Sequence, residues 1–107
     1  MSSSVDAVFA ALGDPTRRGV LEAVAASGPI TATQLAGTMP ISRQAVAKHL
    51  AVLGRAGLVE PRRAGRETQY RATPEQLGEA QRWMDAVGST WDRRLAALDT
   101  HLRKRQG

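Results

Sequence analysis

The sequence predicts a mainly α-helical fold of about five helices that carries one small β-hairpin. Over most of the chain, apolar residues recur at spacings of three and four, as on one face of an amphipathic helix. Near the middle, two extended-looking runs, LVEPRR and ETQYRA, flank Ala64-Gly65. Aromatic residues make up only 4% of the 107 residues, so Leu, Val and Ala must supply the core, which suits packed helices.

The length predicts a single domain, 1–107, of which 74–103 form a long C-terminal helix. No run approaches the roughly 20 apolar residues that span a bilayer, and the start MSSSVDAVF lacks the basic and apolar regions of a signal peptide. Cysteine is absent, which removes disulfides and thiolate ligands. We therefore expect a cytoplasmic protein that makes no membrane contact.

Two helices are predicted before residue 29. Ser4 can cap the first helix, and Gly13 closes it. Asp14 is a favoured N-cap residue for the second helix. Pro15 follows it at the first helical position, where the missing N–H of proline costs no hydrogen bond. The run SGP at 27–29 ends that helix. The apolar stripes are Val5, Val8, Phe9 and Leu12 in the first helix and Val20, Leu21 and Val24 in the second.

Two further helices, joined by a short turn, are predicted up to residue 56. TATQ at 31–34 fits a capping box and opens a short helix, with Ile30 placed to pack against Leu35. Ser42 caps the next helix. Its remaining markers are the stripe Val46, Leu50 and Leu53 and, beyond its end, Gly57.

The hairpin is predicted to have a four-residue tip at 63–66, and Pro61 confines its first strand to a sheet edge. TPEQ at 73–76 fits a second capping box and opens a final helix that runs to about Arg103. Its apolar stripe is Leu77, Ala80, Met84, Val87 and Trp91, continued with a small phase shift by Leu95, Leu98 and Leu102; Trp83 lies outside it.

The excess positive charge lies in the middle of the chain. Residues 43–71 contain seven Lys or Arg and two Glu, a net charge of +5, which equals the net charge of the whole sequence. A solvated face would explain such a run, but a basic segment of this density also attracts polyanions such as nucleic acids.

The fourth helix has an outward face suited to a DNA groove. With Val46 in the core, about 100° per residue places Gln44, Lys48, Ala51 and Arg55 opposite it, with Arg43 and Ala47 at the flank. Arg and Gln can make paired hydrogen bonds to purine edges, while Lys neutralises phosphate. We therefore expect Arg43 and Gln44 at base edges and Lys48 at the phosphate backbone.

His49 and the hairpin tip each admit two interpretations. His49 lies roughly 60° from Val46, beside the buried stripe, and is either a structural histidine bonded to a carbonyl or phosphate, or a base contact or titrating group. Alone, the hairpin tip would be an exposed turn. After a helix-turn-helix, however, Arg62, Arg63 and Arg66 form a wing that can contact phosphates or the minor groove.

The stretches GDPTRRGVLEAV, SRQAVAKHLAVLGRAGLV and GRETQYR resemble, in order and spacing, the winged helix-turn-helix of the ArsR/SmtB bacterial repressors over residues 5–73. The resemblance implies a homodimeric DNA-binding transcriptional regulator, usually a repressor that occludes a promoter. The DNA-binding positions that it implies are Ser42, Arg43, Gln44, Ala45, Lys48 and His49 on the recognition helix and Arg62, Arg63 and Arg66 on the wing.

Metal sensing is not expected. Metal sensors of this family have a cysteine pair in the helix before the recognition helix, where this chain has TATQLAGTM. Others bind zinc through Asp, His and Glu pairs on the final helix, whereas this chain has only His101 there, and Asp92 and Asp99 do not form that spacing. We expect no metal and no cofactor, and the tail, with its spaced tryptophans, resembles the non-metal branch.

The final helix has more apolar surface than a small winged domain can cover. A self-complementary pairing with a second copy would bury it, although an intramolecular core helix could use the same stripe. A homodimer would bring two recognition helices to successive major grooves, about 34–36 Å apart, on an inverted repeat. The predicted interface residues are Val5, Val8, Phe9, Met84, Val87, Trp91, Leu95 and Leu98.

Other function classes fit less well. An enzyme is not expected, since the chain has no Gly-rich phosphate loop, no Ser/His/Asp or Cys/His set, and no carboxylates clustered near a histidine. Two alternatives stay open. One is a regulator that responds to an unidentified small-molecule effector bound near Trp83 and Trp91; the other is a dimeric protein-interaction adaptor without DNA specificity.

Overall fold

The computed structural model describes residues 3–106, with side chains from 4 to 104. It confirms a mainly helical fold with a winged hairpin. Within the described part, no helix is both long and apolar enough to cross a membrane. The elements are α1 (Ser3–Leu12), α2 (Pro15–Ser27), β1 (Ile30–Thr31), α3 (Ala32–Ala36), α4 (Arg43–Arg55), β2 (Val59–Ala64), β3 (Glu67–Ala72) and α5 (Glu75–Gln106).

The sheet has three antiparallel strands in the order β1-β3-β2, not the two strands that the sequence predicted. The additional strand β1 pairs Ile30 with Tyr70 and Thr31 with Gln69. Two residues are too short to produce an alternating pattern, and Thr31 also serves as the N-cap of α3. The prediction that Pro61 lies on an edge strand is confirmed, since β2 is the outer strand.

The hairpin tip is tighter than predicted. Ala64 pairs with Glu67, so the loop contains only Gly65 and Arg66, and Arg63 belongs to the strand. Gly65 has a φ of 64°, as required at the first loop position of a type II′ turn, whose twist matches that of the flanking strands. The wing is therefore a regular ladder up to its last pair.

Three predicted helix caps are confirmed. The carboxylate of Asp14 accepts hydrogen bonds from the amides of Thr16 and Arg17, and Thr31 forms the capping box with Gln34. The hydroxyl of Ser42 accepts from the amide of Ala45 at 3.1 Å. These local contacts fix where α2, α3 and α4 begin.

Two other cap predictions are wrong, because these side chains form hydrogen bonds with residues that are distant in the sequence. Ser4 lies inside α1, and its hydroxyl donates to Glu79 on α5 at 3.3 Å. The hydroxyl of Thr73 donates to the carbonyl of Gly57 at 2.7 Å, and Gln76 Oε1 is buried without a hydrogen-bond partner among the residues described. Thr73 thus joins the end of the wing to the end of α4.

The arginines of the DPTRR stretch stabilise the corner between the first two helices. Arg17 donates to the carbonyl of Ala11 at 3.2 Å, and Arg18 donates to the carbonyl of Leu12. Both acceptors are among the last carbonyls of α1, which have no partner inside the helix. The guanidinium groups of Arg17 and Arg18 therefore bind carbonyls of the protein itself.

The predicted buried stripes of α2 and α4 are confirmed, and they meet α1, α3 and the sheet in one core. Val8 is completely buried and Val5 is only 6% exposed. Their assignment to a dimer interface is therefore wrong, because the protomer's own core already covers them. The fully buried larger side chains are Val8, Val20, Val24, Leu35, Val46, Leu50, Leu53 and Leu58.

The long helix α5 is attached to the core mainly through α1. Ala80 is buried, and Trp83 packs edge-to-face on Phe9 with ring centroids 5.4 Å apart. Beyond that contact, the helix continues to Gln106, and the fold reaches 72 Å along its longest axis.

The end of α4 depends on Gly57, as predicted. The amide of Leu58 donates to Leu53 O and that of Gly57 to Gly54 O, which together form a Schellman motif. Gly57 has a φ of 76°, and a Cβ there would lie 2.7 Å from Cγ of Gln76. The corner between α4 and the wing therefore requires glycine.

Substituting Gly57 by alanine should destabilise the protein by about 1–2 kcal/mol, the cost of a left-handed conformation for a side-chain-bearing residue. Gly54→Ala is the matched control, because its Cβ would meet its nearest neighbour at 4.0 Å inside the helix. The control should be neutral or more stable by up to about 1 kcal/mol. Urea unfolding at equal protein concentration measures both, and equal midpoints for the two variants would contradict the role of Gly57.

Candidate nucleic-acid interface

The rotation of α4 is set by its buried residues. Val46, Leu50 and Leu53 are at most 1% exposed, and Ser42 fixes the first turn. With this stripe in the core, the opposite face points to solvent, as the sequence predicted. The exposed residues of α4 are Arg43, Gln44, Ala47, Lys48, Ala51 and Arg55, while Ala45 and His49 are half-buried.

A groove of about 550 Å³ lies between the helix-turn-helix and the wing. Its positive charge comes from Arg43, Arg63 and Arg66, against one carboxylate, Glu67. The groove is open and polar, and guanidinium groups on both sides suit an extended anion. The lining side chains also include Thr33, Gln34 and Ala47 from the helices and Thr68 and Tyr70 from the wing.

The wing arginines are divided between the two faces of the hairpin. Side chains alternate along a strand, and Arg63 pairs with Thr68, which also lines the groove. Arg62 pairs with Gln69 on the other face and does not line the groove. The sequence grouped Arg62, Arg63 and Arg66 as one cluster, but only Arg63 and Arg66 share this surface.

Arg43 lies on the groove wall nearest to α3. Its Nε donates to Oγ1 of Thr33 at 2.9 Å, across the turn that joins the two helices. Both side chains are exposed. Among the described side chains, 4–104, no other hydrogen bond or ion pair engages the Arg43 guanidinium, so its two terminal nitrogens have no partner there, and Arg43 lines the groove.

The side chain of His49 on α4 lies near Asp14, at the corner that precedes α2. Its Nδ1 is buried and has no hydrogen-bond partner in the described part of the chain, so the predicted bond to a carbonyl is not formed. The hydrogen bond from the amide of Arg17 is the largest cause that lowers the pKa of Asp14. Desolvation opposes it, while the amide of Thr16 and the nearby side chains of His49 and Arg17 lower the pKa further. Both interpretations of His49 stay predictions.

Several groove residues were not identified from the sequence. Thr33, Thr68, Tyr70 and Glu67 reach the groove only because α3 and the wing meet there. The hairpin pattern contained one usable signal, since Thr68 and Tyr70 alternate on the same face of β3. Thr33 has no such signal, because its neighbour Arg43 lies ten residues further along the chain.

A second surface runs along α5. Large apolar side chains there are 36–62% exposed, and Trp91 is the most exposed of them. A shallow cavity of about 400 Å³ is lined by Trp83, Trp91 and Arg94, among others. Among the described residues, no group of three or more His, Cys, Asp or Glu is placed to hold a metal ion. The exposed apolar residues are Leu77, Trp83, Met84, Val87, Trp91, Leu95, Leu98 and Leu102.

Comparison with known proteins identifies relatives over most of the chain. Residues 12–62 match the family described as "Helix-turn-helix domain". The chain is 39% identical to the HTH-type transcriptional regulator Rv2034 of Mycobacterium tuberculosis, over 86% of this chain and 82% of that protein. It is 32% identical to the transcriptional repressor SdpR of Bacillus subtilis, over 72% of this chain and 84% of that protein.

Solved structures of similar fold are also described as transcriptional regulators. The ArsR-like transcriptional regulator from Rhodococcus sp. RHA1 has a TM-score of 0.80 at 44% identity, over 90% of each chain. The homodimeric winged helix-turn-helix DNA-binding domain of Mb0332 from Mycobacterium bovis has a TM-score of 0.62 at 27% identity, over 86% of this chain and 82% of that one. These relatives are named as regulators, in agreement with the expectation of a non-enzyme. The chain belongs to the ArsR family of winged helix-turn-helix transcriptional regulators.

Proposed function

We propose that the protein is a homodimeric, sequence-specific DNA-binding regulator that represses transcription by occupying an inverted-repeat operator. The observation that carries this proposal is the basic groove between α4 and the wing, which has guanidinium groups on both walls. A helix with an outward polar face and a neighbouring cationic hairpin is the arrangement that enters a major groove and contacts the adjacent backbone.

The proposed contacts fall into two classes. Arg43 and Gln44 at the start of α4 recognise base edges, because their side chains can form paired hydrogen bonds to guanine and adenine. Lys48, Arg63 and Arg66 contact phosphates. Small side chains, among them Ala47, let the backbone of α4 approach the bases. Ser42 and Ala45 lie in the first turn near the DNA, and His49 supports α4 from its inner side.

The proposed dimer forms through α5. A stripe of half-exposed Leu, Val, Met and Trp is larger than the single apolar residues normal for a monomer's surface, and such patches mark interaction sites. The same helix in a second copy offers a matching stripe under twofold symmetry. Phe9 contributes at its exposed edge, since it is only partly buried against Trp83. The homodimeric state of the Mb0332 domain supports this assembly.

Repression is supported by the name of one relative, the transcriptional repressor SdpR. A bound dimer would cover two half-sites about one helical turn apart, on one face of the duplex. That footprint is long enough to exclude polymerase from a promoter that overlaps it. Repression then requires no activity beyond tight, specific binding.

Control by a small molecule is a second candidate function. The cavity of about 400 Å³ between Trp83 and Trp91 falls within the range of ligand sites, and Arg94 would favour an anionic ligand. Since Trp91 also belongs to the proposed dimer surface, a ligand there would compete with dimerisation and release DNA. An effector would therefore shift the dimer dissociation constant, which sedimentation with candidate aromatic acids can measure.

The primary test is selection of duplexes from a random-sequence pool by the purified full chain. The expected product is an inverted repeat whose binding weakens steeply between 50 and 200 mM salt, because phosphate contacts release counterions. A protein-interaction adaptor would enrich no sequence and show no such salt dependence. Failure to enrich any duplex at low salt contradicts the proposal.

Substitutions in the interface should separate specificity from affinity. Gln44→Ala should relax the preference for one base pair in each half-site, while Arg63→Ala should weaken all duplexes alike and lower the salt slope by about two per dimer. Arg62→Ala is the matched control on the outer face of the wing and should change the slope less. Equal losses of slope for Arg62→Ala and Arg63→Ala would contradict the proposed orientation of the wing.

A charge on the apolar face of α5 should disrupt the dimer. Leu98→Glu introduces a carboxylate into the exposed stripe, where Leu98 is 54% exposed and therefore dispensable for the protomer's own core. Ala96→Glu adds the same charge roughly 160° around the helix and should leave the dimer intact. Sedimentation should show at least a tenfold weaker dimer for Leu98→Glu alone. A monomeric wild-type protein, or equal behaviour of the two variants, would refute the proposed interface.

A further inference from the structure

Thr33 provides a side-chain contact to Arg43, one of the two residues proposed to recognise base edges. Nε of Arg43 donates to Oγ1 of Thr33 at 2.9 Å, and both residues line the basic groove. The bond joins the two helices of the helix-turn-helix at a wall of the groove. Arg43 is therefore held to α3 while it lines the groove.

The choice of donor atom matters for recognition. A guanidinium is planar, so a hydrogen bond at Nε fixes the orientation of the plane and leaves both terminal nitrogens available. Paired hydrogen bonds to O6 and N7 of guanine need two parallel N–H groups in a defined plane. A free arginine side chain would lose several rotamers on forming such a pair, and a guanidinium that is already oriented loses fewer.

Thr33 is itself well anchored. The capping box of Thr31 and Gln34, with hydrogen bonds of 2.9 and 3.1 Å, fixes the first turn of α3, and Leu35 is completely buried. Arg43 is the first residue of α4, immediately after the Ser42 cap. Both ends of the Thr33–Arg43 hydrogen bond therefore start from rigid backbone.

We propose that Thr33 is a positioning residue for sequence recognition, which holds the Arg43 guanidinium in the plane required to contact a guanine in each half-site. This inference rests on the proposed function. The opposite interpretation is that the bond withdraws Arg43 from DNA. The groove location argues against it, because Arg43 faces the proposed DNA surface while bonded to Thr33.

The test compares Thr33→Val, which removes the hydroxyl and keeps the shape, with Thr33→Ser, which keeps the hydroxyl. The probe is a duplex that the wild-type full chain selects from a random-sequence pool. Thr33→Val should bind it about ten- to a hundredfold more weakly, because one hydrogen bond contributes about three- to tenfold and the dimer loses one such bond at each half-site. Thr33→Ser should bind within about twofold of the wild type, while affinity for a non-selected duplex should be unchanged.

A double-mutant cycle supplies the readout that a purely structural effect would not reproduce. In the Arg43→Ala background, Thr33→Val should have no further effect, because the residue that it positions is gone. Repeating the selection with Thr33→Val should flatten the same base-pair position that Arg43→Ala flattens. Circular dichroism melts of all variants verify the fold.

The outcomes separate the two proposals. If the wild type selects no duplex, the proposed DNA-binding function fails. If the wild type is specific but Thr33→Val binds as well or more tightly, only the positioning role is overturned. A loss that persists in the Arg43→Ala background, or that Thr33→Ser shares, also overturns it.

Discussion

The burial of one side of α4 is the constraint on which the proposed interface depends. Val46, Leu50 and Leu53 are essentially inaccessible, and each buried side chain of this size contributes roughly 1.5–3 kcal/mol. A rotation of α4 by one residue would expose part of this stripe and turn Gln44 towards the protein. Exposed polar contacts are worth about 1 kcal/mol or less, so they cannot compete with that burial. The burial of these aliphatic residues therefore determines which polar residues of α4 are exposed for contact with DNA.

The wing is placed by a second set of contacts at the end of α4. Gly57 turns the chain. At the other end of the hairpin, the hydroxyl of Thr73 donates a hydrogen bond to the carbonyl of Gly57, and the amide of Thr73 donates one to the carbonyl of Leu58. These bonds join both ends of the hairpin to the helix-turn-helix. Register then matters, because a slip of one residue would exchange the faces of Arg62 and Arg63. The groove exists only when the α4 corner and the strand register are both correct.

Sequence reasoning succeeded where the cause of a structure is local. The caps at Asp14, Thr31 and Ser42 and the edge position of Pro61 follow from nearby residues and were predicted. It failed where a distant segment decides. Thr73 fits a capping box but bonds to Gly57 instead, and Val5 lies in the protomer's core. Pairing of Ile30 with Tyr70 leaves no periodic trace, and neither does the contact between Thr33 and Arg43. The apolar α5 stripe was visible in the sequence, but its exposure was not.

Twofold assembly would amplify every small effect at the groove. In a dimer on an inverted repeat, the second half-site binds as an intramolecular event, so the free energies of the two half-sites add. A threefold loss at one half-site then becomes about ninefold for the operator, since free energies that add correspond to multiplied affinities. One exposed hydrogen bond such as Thr33–Arg43 is weak in the free protein, but it acts twice in the complex. In the proposed dimer, weakening the α5 pairing would remove this amplification while leaving each groove intact, so α5 would be an effective point of control over DNA binding.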